Sequence, residues 1–152
     1  APGTKVHASG VPWDDASGDR LRTWLGLTSE RFYDERLVAI VPMGFCYPGR
    51  GASGDLPPRP ECAPLWHEAV LGHLTQVRLT LLIGRYAQAR YLGAGCGATL
   101  AETVRDWRRH LSSGFLPLVH PSPRNQLWLR KNPWFERELV PALRARVQAL
   151  VG

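Results

Sequence analysis

Three short apolar runs, separated by segments with helical spacing, limit what this chain can fold into more than any other feature. The runs occupy residues 37–41, 79–83 and 115–119. An uninterrupted apolar run of this length is typical of a strand that is buried on both faces. Strands that alternate with helices form a parallel sheet covered by helices. The pattern predicts an α/β fold: three α/β/α layers around a central, mostly parallel sheet.

Helical spacing of apolar residues predicts the layers that cover this sheet. The predicted helices comprise residues 17–25, 64–74, 84–91, 100–111 and 133–151. Ser17 is a plausible N-cap for the first of them. Residues 48–60 are rich in glycine and proline, and a connection this long is either functional or mobile. No linker divides residues 1–152, so we expect one domain.

The start of the chain is predicted to be a loop, because glycine and proline recur in it as far as Pro12. A loop of this composition ordinarily follows a strand in an α/β fold. We therefore expect the domain, as numbered, to lack its first strand.

The net charge of +6 is distributed unevenly along the chain. Nine basic residues lie between Arg105 and Arg146, against three acidic ones. Such an excess suits a polyanion such as DNA, because neutralised phosphates release counterions. Arginines that only solvate helices would give the same count. No apolar run approaches the ~20 residues that cross a bilayer, so we expect a cytoplasmic, nucleoid-associated monomer without a membrane partner.

Two loop motifs carry most of the chemical information. The first reads APG at residues 1–3 and continues as SGVPWDDASG at residues 9–18. The second reads HPSPRN at residues 120–125, directly after the last apolar run. Ligands of parallel sheets bind outside the carboxyl ends of the strands, where such loops lie.

These motifs resemble the signature loops of the uracil-DNA glycosylase superfamily, above all its iron–sulphur-type families four and five. The sequence LLIG at residues 81–84 resembles the strand-to-helix turn of the same family. The resemblance extends from Ala1 to about Asn125. It implies a monofunctional DNA-repair glycosylase, which flips a damaged base out of DNA and hydrolyses its N-glycosidic bond.

The resemblance implies two catalytic residues. His120 stands where the family has a histidine that donates to the departing base, and such a donor stabilises charge that develops in the transition state. Asp15 is a candidate for positioning the hydrolytic water or stabilising the oxocarbenium-like sugar. An equally open alternative is that Asp15 only caps the helix that follows it.

The flipped base is expected to bind against the two loops. The residues implied in base binding are Pro2, Gly3, Trp13 and Asn125. An indole face can contribute ~1–3 kcal/mol of stacking on a base. The alternative for Trp13 is packing in the core, where several of the other five tryptophans are expected.

DNA contacts are expected around and after the second motif. The implied residues are Ser122, Arg124, Leu127, Arg130 and Lys131. Arg124, Leu127 or Trp128 could fill the gap that a flipped base leaves in the stack. The alternative for Leu127 and Trp128 is packing of the last helices against the sheet.

Two departures from the family pattern affect substrate and cofactor. Many uracil-selective members carry an asparagine where this chain has Pro42 and Met43, so uracil, another deaminated base or a different lesion stay open. Cys46 and Cys62 match two of the four thiolates that hold a four-iron, four-sulphur cluster in the iron–sulphur-type families. A cluster is expected only if upstream cysteines complete it; otherwise we expect no cofactor. Cys96 matches nothing in the family.

Two other classes of function compete with the glycosylase. A non-catalytic DNA-binding module on the same fold would show the same charge and the same loops. A phosphate or nucleotide hydrolase is disfavoured, because the chain lacks a phosphate-cradling Gly-Lys-Ser/Thr loop and a carboxylate-rich metal site.

Overall fold

The computed structural model describes residues 1–152 and has mixed α/β architecture. The helices, in chain order, are α1 (Thr4–Ser9), α2 (Ala16–Leu25), α3 (Ser29–Phe32), α4 (Cys62–Gly72), α5 (Arg85–Leu92), α6 (Leu100–Arg105), α7 (Trp107–Leu111), α8 (Gln126–Lys131) and α9 (Val140–Val151). The strands are β1 (Arg50–Gly51), β2 (Gly54–Asp55), β3 (Thr80–Ile83) and β4 (Phe115–Leu118). None of the helices combines the length and the apolarity of a membrane span.

The two later apolar runs form the parallel pair that the sequence predicts. β3 and β4 pair in parallel, in a register that sets Thr80 opposite Phe115 and Ile83 opposite Leu118. Leu82 is 2 % exposed. The α/β class and both strands are therefore confirmed, each strand one residue shorter than predicted.

The prediction of a strand at residues 37–41 is wrong. Val38 and Ile40 do pack against the core. However, the N–H groups of Leu37 and Val38 both donate to the carbonyl of Asp34, at 2.9 and 3.0 Å. The segment belongs to neither sheet. Its burial is also incomplete, because Leu37 is 37 % exposed. The turn at Asp34 engages the first N–H groups of the run, and the parallel sheet has two strands. The three-layer arrangement stays a prediction.

The predicted helices form, with corrections at their ends. α2 begins at Ala16, and its N-cap is Asp15 rather than Ser17. The helix predicted at residues 100–111 is interrupted at Asp106, where ψ is 20°. The helix predicted at residues 133–151 begins with a π-helical turn, Phe135–Leu139, before α9. Pro141 has no N–H to donate to the carbonyl four residues earlier, which disfavours a regular α-turn at this point.

The first loop is partly helical, contrary to the prediction. None of the residues of α1 is buried, so its sequence lacks the apolar periodicity that would predict a helix. It ends at Gly10, whose φ of 71° is the left-handed conformation that glycine adopts most readily.

An aromatic cluster on the C-terminal side of the sheet forms the centre of the core. The Phe135 side chain is fully buried and lies edge-on to Trp24, with ring centroids 4.9 Å apart. Trp128 and Trp134 approach the same ring at 5.7 and 6.2 Å. This cluster joins α2 to the C-terminal helices, which places the segment before α2 next to the end of the sheet.

Replacing Phe135 by alanine should destabilise the protein strongly. Removing a fully buried aromatic ring loses its transfer free energy and leaves a cavity, at a cost of about 3–5 kcal/mol. The free energy of unfolding from urea denaturation measures this change. The matched control is Trp66→Ala, because Trp66 is 57 % exposed and its removal should cost far less. Equal losses in the two variants would contradict the assignment of the core.

Candidate active site

The two motif loops meet at the carboxyl edge of the parallel pair. The second motif begins two residues after β4 ends, at His120. The ring of Trp13, from the first motif, lies against the His120 ring with a centroid distance of 5.5 Å and an interplanar angle of 32°. Gly84, directly after β3, also lies next to His120: a Cβ built on Gly84 would lie 3.8 Å from the Cβ of His120. Loops distant in sequence therefore share one site.

Trp13 has an unusual backbone conformation. Its φ of 61° makes it the one non-glycine residue of residues 1–152 with positive φ. A bulky residue in the left-handed region is strained, and strain of this kind persists where the surroundings enforce it. The indole is half-buried: it lies against His120 and also packs against the edge of the core, so both of the expected roles for Trp13 are compatible with its position.

The hydrogen bonds of His120 define its tautomer. The backbone N–H of Ser122 donates to Nδ1 of the imidazole at 3.1 Å. Since Nδ1 accepts, the proton of the neutral ring resides on Nε2. Nε2–H is thus the donor that the side chain can offer to a ligand.

The surroundings of His120 favour the neutral ring. Part of the residue is exposed to solvent, yet the atoms packed around its ring desolvate it and lower its pKa. The negative charge of Asp15 raises the pKa and opposes this effect in part.

Asp15 takes part in two interactions. Its Oδ1 accepts the N–H of Gly18 at 2.9 Å and so caps α2. Its charge also acts on His120, as the pKa of that residue indicates. Capping is therefore observed, and it fixes the Asp15 carboxylate at the N-terminus of α2.

The polar residues of the second motif hold the loop in shape. Asn125 donates through Nδ2 to the carbonyl of His120 at 2.8 Å, which engages its amide nitrogen and leaves its amide oxygen for a ligand. Ser122 Oγ accepts the N–H of Arg124 at 3.3 Å. From α2, Arg20 donates to the Ser122 carbonyl at 3.4 Å. These bonds fix the backbone from His120 to Arg124.

A small hairpin within residues 48–60 contacts both motifs. β1 and β2 pair antiparallel in it. Arg124 donates to the carbonyl of Ser53 at 3.4 Å, and a Cβ on Gly54 would lie 2.6 Å from the same guanidinium. On the other side, a Cβ on Gly3 would lie 3.1 Å from Asp55. The φ of 132° at Gly54 is a conformation that residues with a Cβ rarely adopt, which favours glycine at this position.

Beyond the hairpin, three of the expected DNA-binding residues, Leu127, Arg130 and Lys131, lie on α8. Leu127 is 62 % exposed at the start of α8, so the alternative that it packs in the core is wrong. Trp128 does pack against the aromatic cluster. Arg130 and Lys131 are exposed and form no ion pair. This face of α8 is free to meet a polyanion.

Sequence reasoning missed a buried glutamine beneath the site. Gln88 is 2 % exposed, and its Nε2 donates to the carbonyls of Leu82 and Leu118 at 3.2 and 2.9 Å. It therefore bridges the carboxyl ends of both strands, next to Gly84 and His120. A glutamine inside a helix is ordinary, so only tertiary structure reveals this role.

Sequence reasoning also missed a buried histidine, His67 in α4, which lies between Pro42 and Tyr91. His67 is 2 % exposed; its Nε2 donates to the carbonyl of Pro42 at 2.9 Å, and its Nδ1 accepts from the hydroxyl of Tyr91. These bonds hold the segment of Pro42 and Met43, where the family asparagine is absent.

The cysteines do not by themselves form a site for a metal cluster. The Sγ of Cys62 accepts the N–H of Phe45 at 3.4 Å, so it lies beside the residue before Cys46. All three cysteines are free thiols, and no three metal-binding side chains converge within residues 1–152. Cys46 and Cys62 supply only two of the four thiolates that such a cluster needs.

The pKa of His120 should lie below its ordinary value of 6.5. Asp15→Asn removes the charge that raises this pKa and keeps an oxygen to cap Gly18, so the pKa should fall further. Proton NMR of the imidazole C–H signals measures both. The matched control is Asp14→Asn, which removes the neighbouring carboxylate and should leave the His120 pKa unchanged. A higher pKa in Asp15→Asn would contradict the electrostatic contact.

A family model described as the uracil DNA glycosylase superfamily matches residues 1–144. The matched region includes both motif loops, the hairpin between them and the strands that carry them. The protein belongs to the uracil DNA glycosylase superfamily.

Proposed function

We propose that this protein is a monofunctional DNA glycosylase that hydrolyses the N-glycosidic bond of uracil or another damaged base. The observation that carries the proposal is the pairing of the Trp13 indole with the His120 imidazole at the carboxyl edge of the sheet. A flipped base needs a flat surface to stack on and donors at its edge. The indole supplies the first and the imidazole the second.

Bond cleavage moves an electron pair from the glycosidic bond onto the base. The leaving base becomes anionic, and the sugar acquires oxocarbenium character. His120 stabilises the departing anion through Nε2–H, whose position is set by the bond from Ser122 N–H to Nδ1. A hydrogen-bond donor at this place lowers the barrier, because it binds the oxygen more strongly once negative charge has developed on it than in the ground state.

Asp15 acts on the other side of the broken bond. Its carboxylate stabilises the cationic sugar electrostatically and orients a water molecule. The water oxygen bonds to C1′ of the sugar, and its proton passes to the carboxylate or to solvent. One carboxylate oxygen is used by the cap on Gly18, which leaves the other for this role.

The second motif and α8 bind the DNA strand. Ser122, Arg124, Arg130 and Lys131 contact phosphates, and exposed Leu127 enters the gap left by the base. Pro2, Gly3 and the amide oxygen of Asn125 line the base pocket. Other arginines contribute less: Arg108 pairs with Glu138 at 3.4 Å and Arg109 with Asp106 at 2.5 Å.

The residues at the Pro42 segment bear on which base is released, and the cysteines bear on whether a cofactor is bound. Pro42 and Met43 offer no side-chain amide to read a pyrimidine edge, so deaminated purines stand beside uracil as substrates. An iron–sulphur cluster at Cys46 and Cys62 requires two further thiolates from outside residues 1–152. No step of the reaction described above uses it.

His120→Ala should lower the rate of base release by about 100- to 1000-fold, as loss of one transition-state donor does. Abasic-site formation is measured under single-turnover conditions on oligonucleotides that carry uracil, hypoxanthine, xanthine or an alkylated base. The matched control is His73→Ala, because His73 is exposed and its side chain bonds only to the carbonyl of Ala69 in the preceding helix.

Two outcomes of this experiment would contradict the proposal. An unchanged rate in His120→Ala would refute the donor role. Salt-dependent DNA binding without release of any of the four bases would instead favour the non-catalytic binding module.

Asp15→Asn and Asp15→Ala separate catalysis from capping. Asparagine caps a helix about as well as aspartate, whereas alanine forfeits about 1 kcal/mol. If the charge acts on the sugar, both variants lose roughly 100-fold in rate, and only the alanine variant loses stability in urea denaturation. Full activity of Asp15→Asn would mean that Asp15 serves α2 alone.

A further inference from the structure

We infer that Arg22 and Tyr33 are positioning residues, which hold Trp13 in its left-handed conformation and thereby aim the indole at the base. The inference rests on the proposed function for its catalytic consequence. It rests on geometry alone for the positioning itself.

Tyr33 and Arg22 bind two consecutive carbonyls of the first motif. The hydroxyl of Tyr33 donates to the carbonyl of Pro12 at 2.7 Å. Nη1 of Arg22 lies 3.3 Å from the carbonyl of Trp13 and 3.3 Å from the Tyr33 hydroxyl, which accepts from it. The peptide planes on both sides of the Trp13 Cα are thus held from one direction.

The guanidinium that makes these bonds is itself immobilised. The Arg22 side chain is 14 % exposed, and its Nη2 pairs with Asp19 at 2.7 Å. Its Cζ lies 5.4 Å from the ring centroid of Phe32 and 5.7 Å from that of Tyr33. A planar guanidinium held by an ion pair and two rings loses little further freedom when it binds a carbonyl.

Gly18, in α2 below the loop, also favours this conformation of Trp13. A Cβ on Gly18 would overlap the carbonyl oxygen of Trp13, so only glycine allows the loop to lie this close to α2. Gly18 admits the Trp13 carbonyl, and Arg22, one helical turn later, binds it. Without these bonds Trp13 would relax to a common region of φ/ψ space, because the left-handed one is unfavourable for a tryptophan. The indole would then turn away from His120.

The positioning is tested first without turnover. In protein labelled with 5-fluorotryptophan, the ¹⁹F resonance of Trp13 is the one that disappears in Trp13→Phe. We expect Arg22→Met and Tyr33→Phe to shift or broaden this resonance and to leave the five other tryptophan resonances in place. Arg36→Met is the matched control, because Arg36 also pairs with an aspartate, Asp34 at 2.7 Å, but is 87 % exposed. An unchanged Trp13 resonance in both variants would overturn the inference.

The catalytic consequence is tested by a double-mutant cycle on whichever of the four oligonucleotides the native protein cleaves fastest. Arg22→Met and Tyr33→Phe should each lower the single-turnover rate by about tenfold, a fraction of the effect of losing the whole stacking surface. In a Trp13→Ala background, neither should lower the rate further, because both act through the indole. Rates that multiply independently of Trp13 would show a general structural effect and overturn the catalytic part.

The two measurements keep the proposals apart. If the native protein releases none of the bases, the proposed function fails, and the ¹⁹F spectra still decide whether Arg22 and Tyr33 position Trp13. If the native protein is active and the spectra do not change, the positioning fails while the glycosylase stands.

Discussion

The parallel pairing of β3 and β4 is the interaction on which the site depends. Both strands end at the same edge, so the turn at Gly84 and the loop at His120 emerge side by side. The N–H of Gly84 continues the ladder by donating to the carbonyl of Leu118 at 2.9 Å. Gln88 donates to the same carbonyl and to that of Leu82. In a sheet of two strands, this buried amide replaces part of the support that neighbouring strands would provide.

The loops at this edge carry the two rings of the candidate site, and hydrogen bonds and packing fix both rings in position. The indole of Trp13 occupies a conformation that the residue would not adopt alone. The imidazole of His120 is fixed on one side by Ser122 N–H and has its pKa lowered by desolvation. Both groups are arranged before a ligand arrives. Preorganised groups of this kind need no reorganisation when charge develops, which is the main source of electrostatic catalysis.

Arginine serves structure in this protein as much as charge. Arg20, Arg22 and Arg144 all donate to backbone carbonyls of loops and helix ends, at Ser122, Trp13 and Thr23 respectively. A rigid, planar donor with several N–H groups suits carbonyls that point out of loops. The excess positive charge therefore does not translate directly into a DNA-binding surface. The basic residues without such partners, on α8 in particular, are the ones available to phosphates.

Much of the architecture could be predicted from local pattern. The apolar runs at β3 and β4, the spacing in α2 and α5, and the two motif loops are properties of short segments, and the resemblance they carry agrees with the superfamily match. The run at residues 37–41 failed as a strand because apolar composition fixes neither full burial nor a pairing partner: Leu37 is 37 % exposed, and the N–H groups of Leu37 and Val38 bond within a local turn. The roles of Gln88, Tyr33 and Arg22 were also invisible, since each depends on a carbonyl far along the chain or across a turn.

The sequence by itself determined which segments are apolar and which loops carry the reactive side chains, His120 and Trp13 among them. Tertiary structure alone decided that these two rings meet, which tautomer the imidazole adopts, and how the indole is held. Burial and periodicity are local properties that a sequence displays directly. Convergence depends on contacts between segments about a hundred residues apart, and these form only when the strands pair and the core closes.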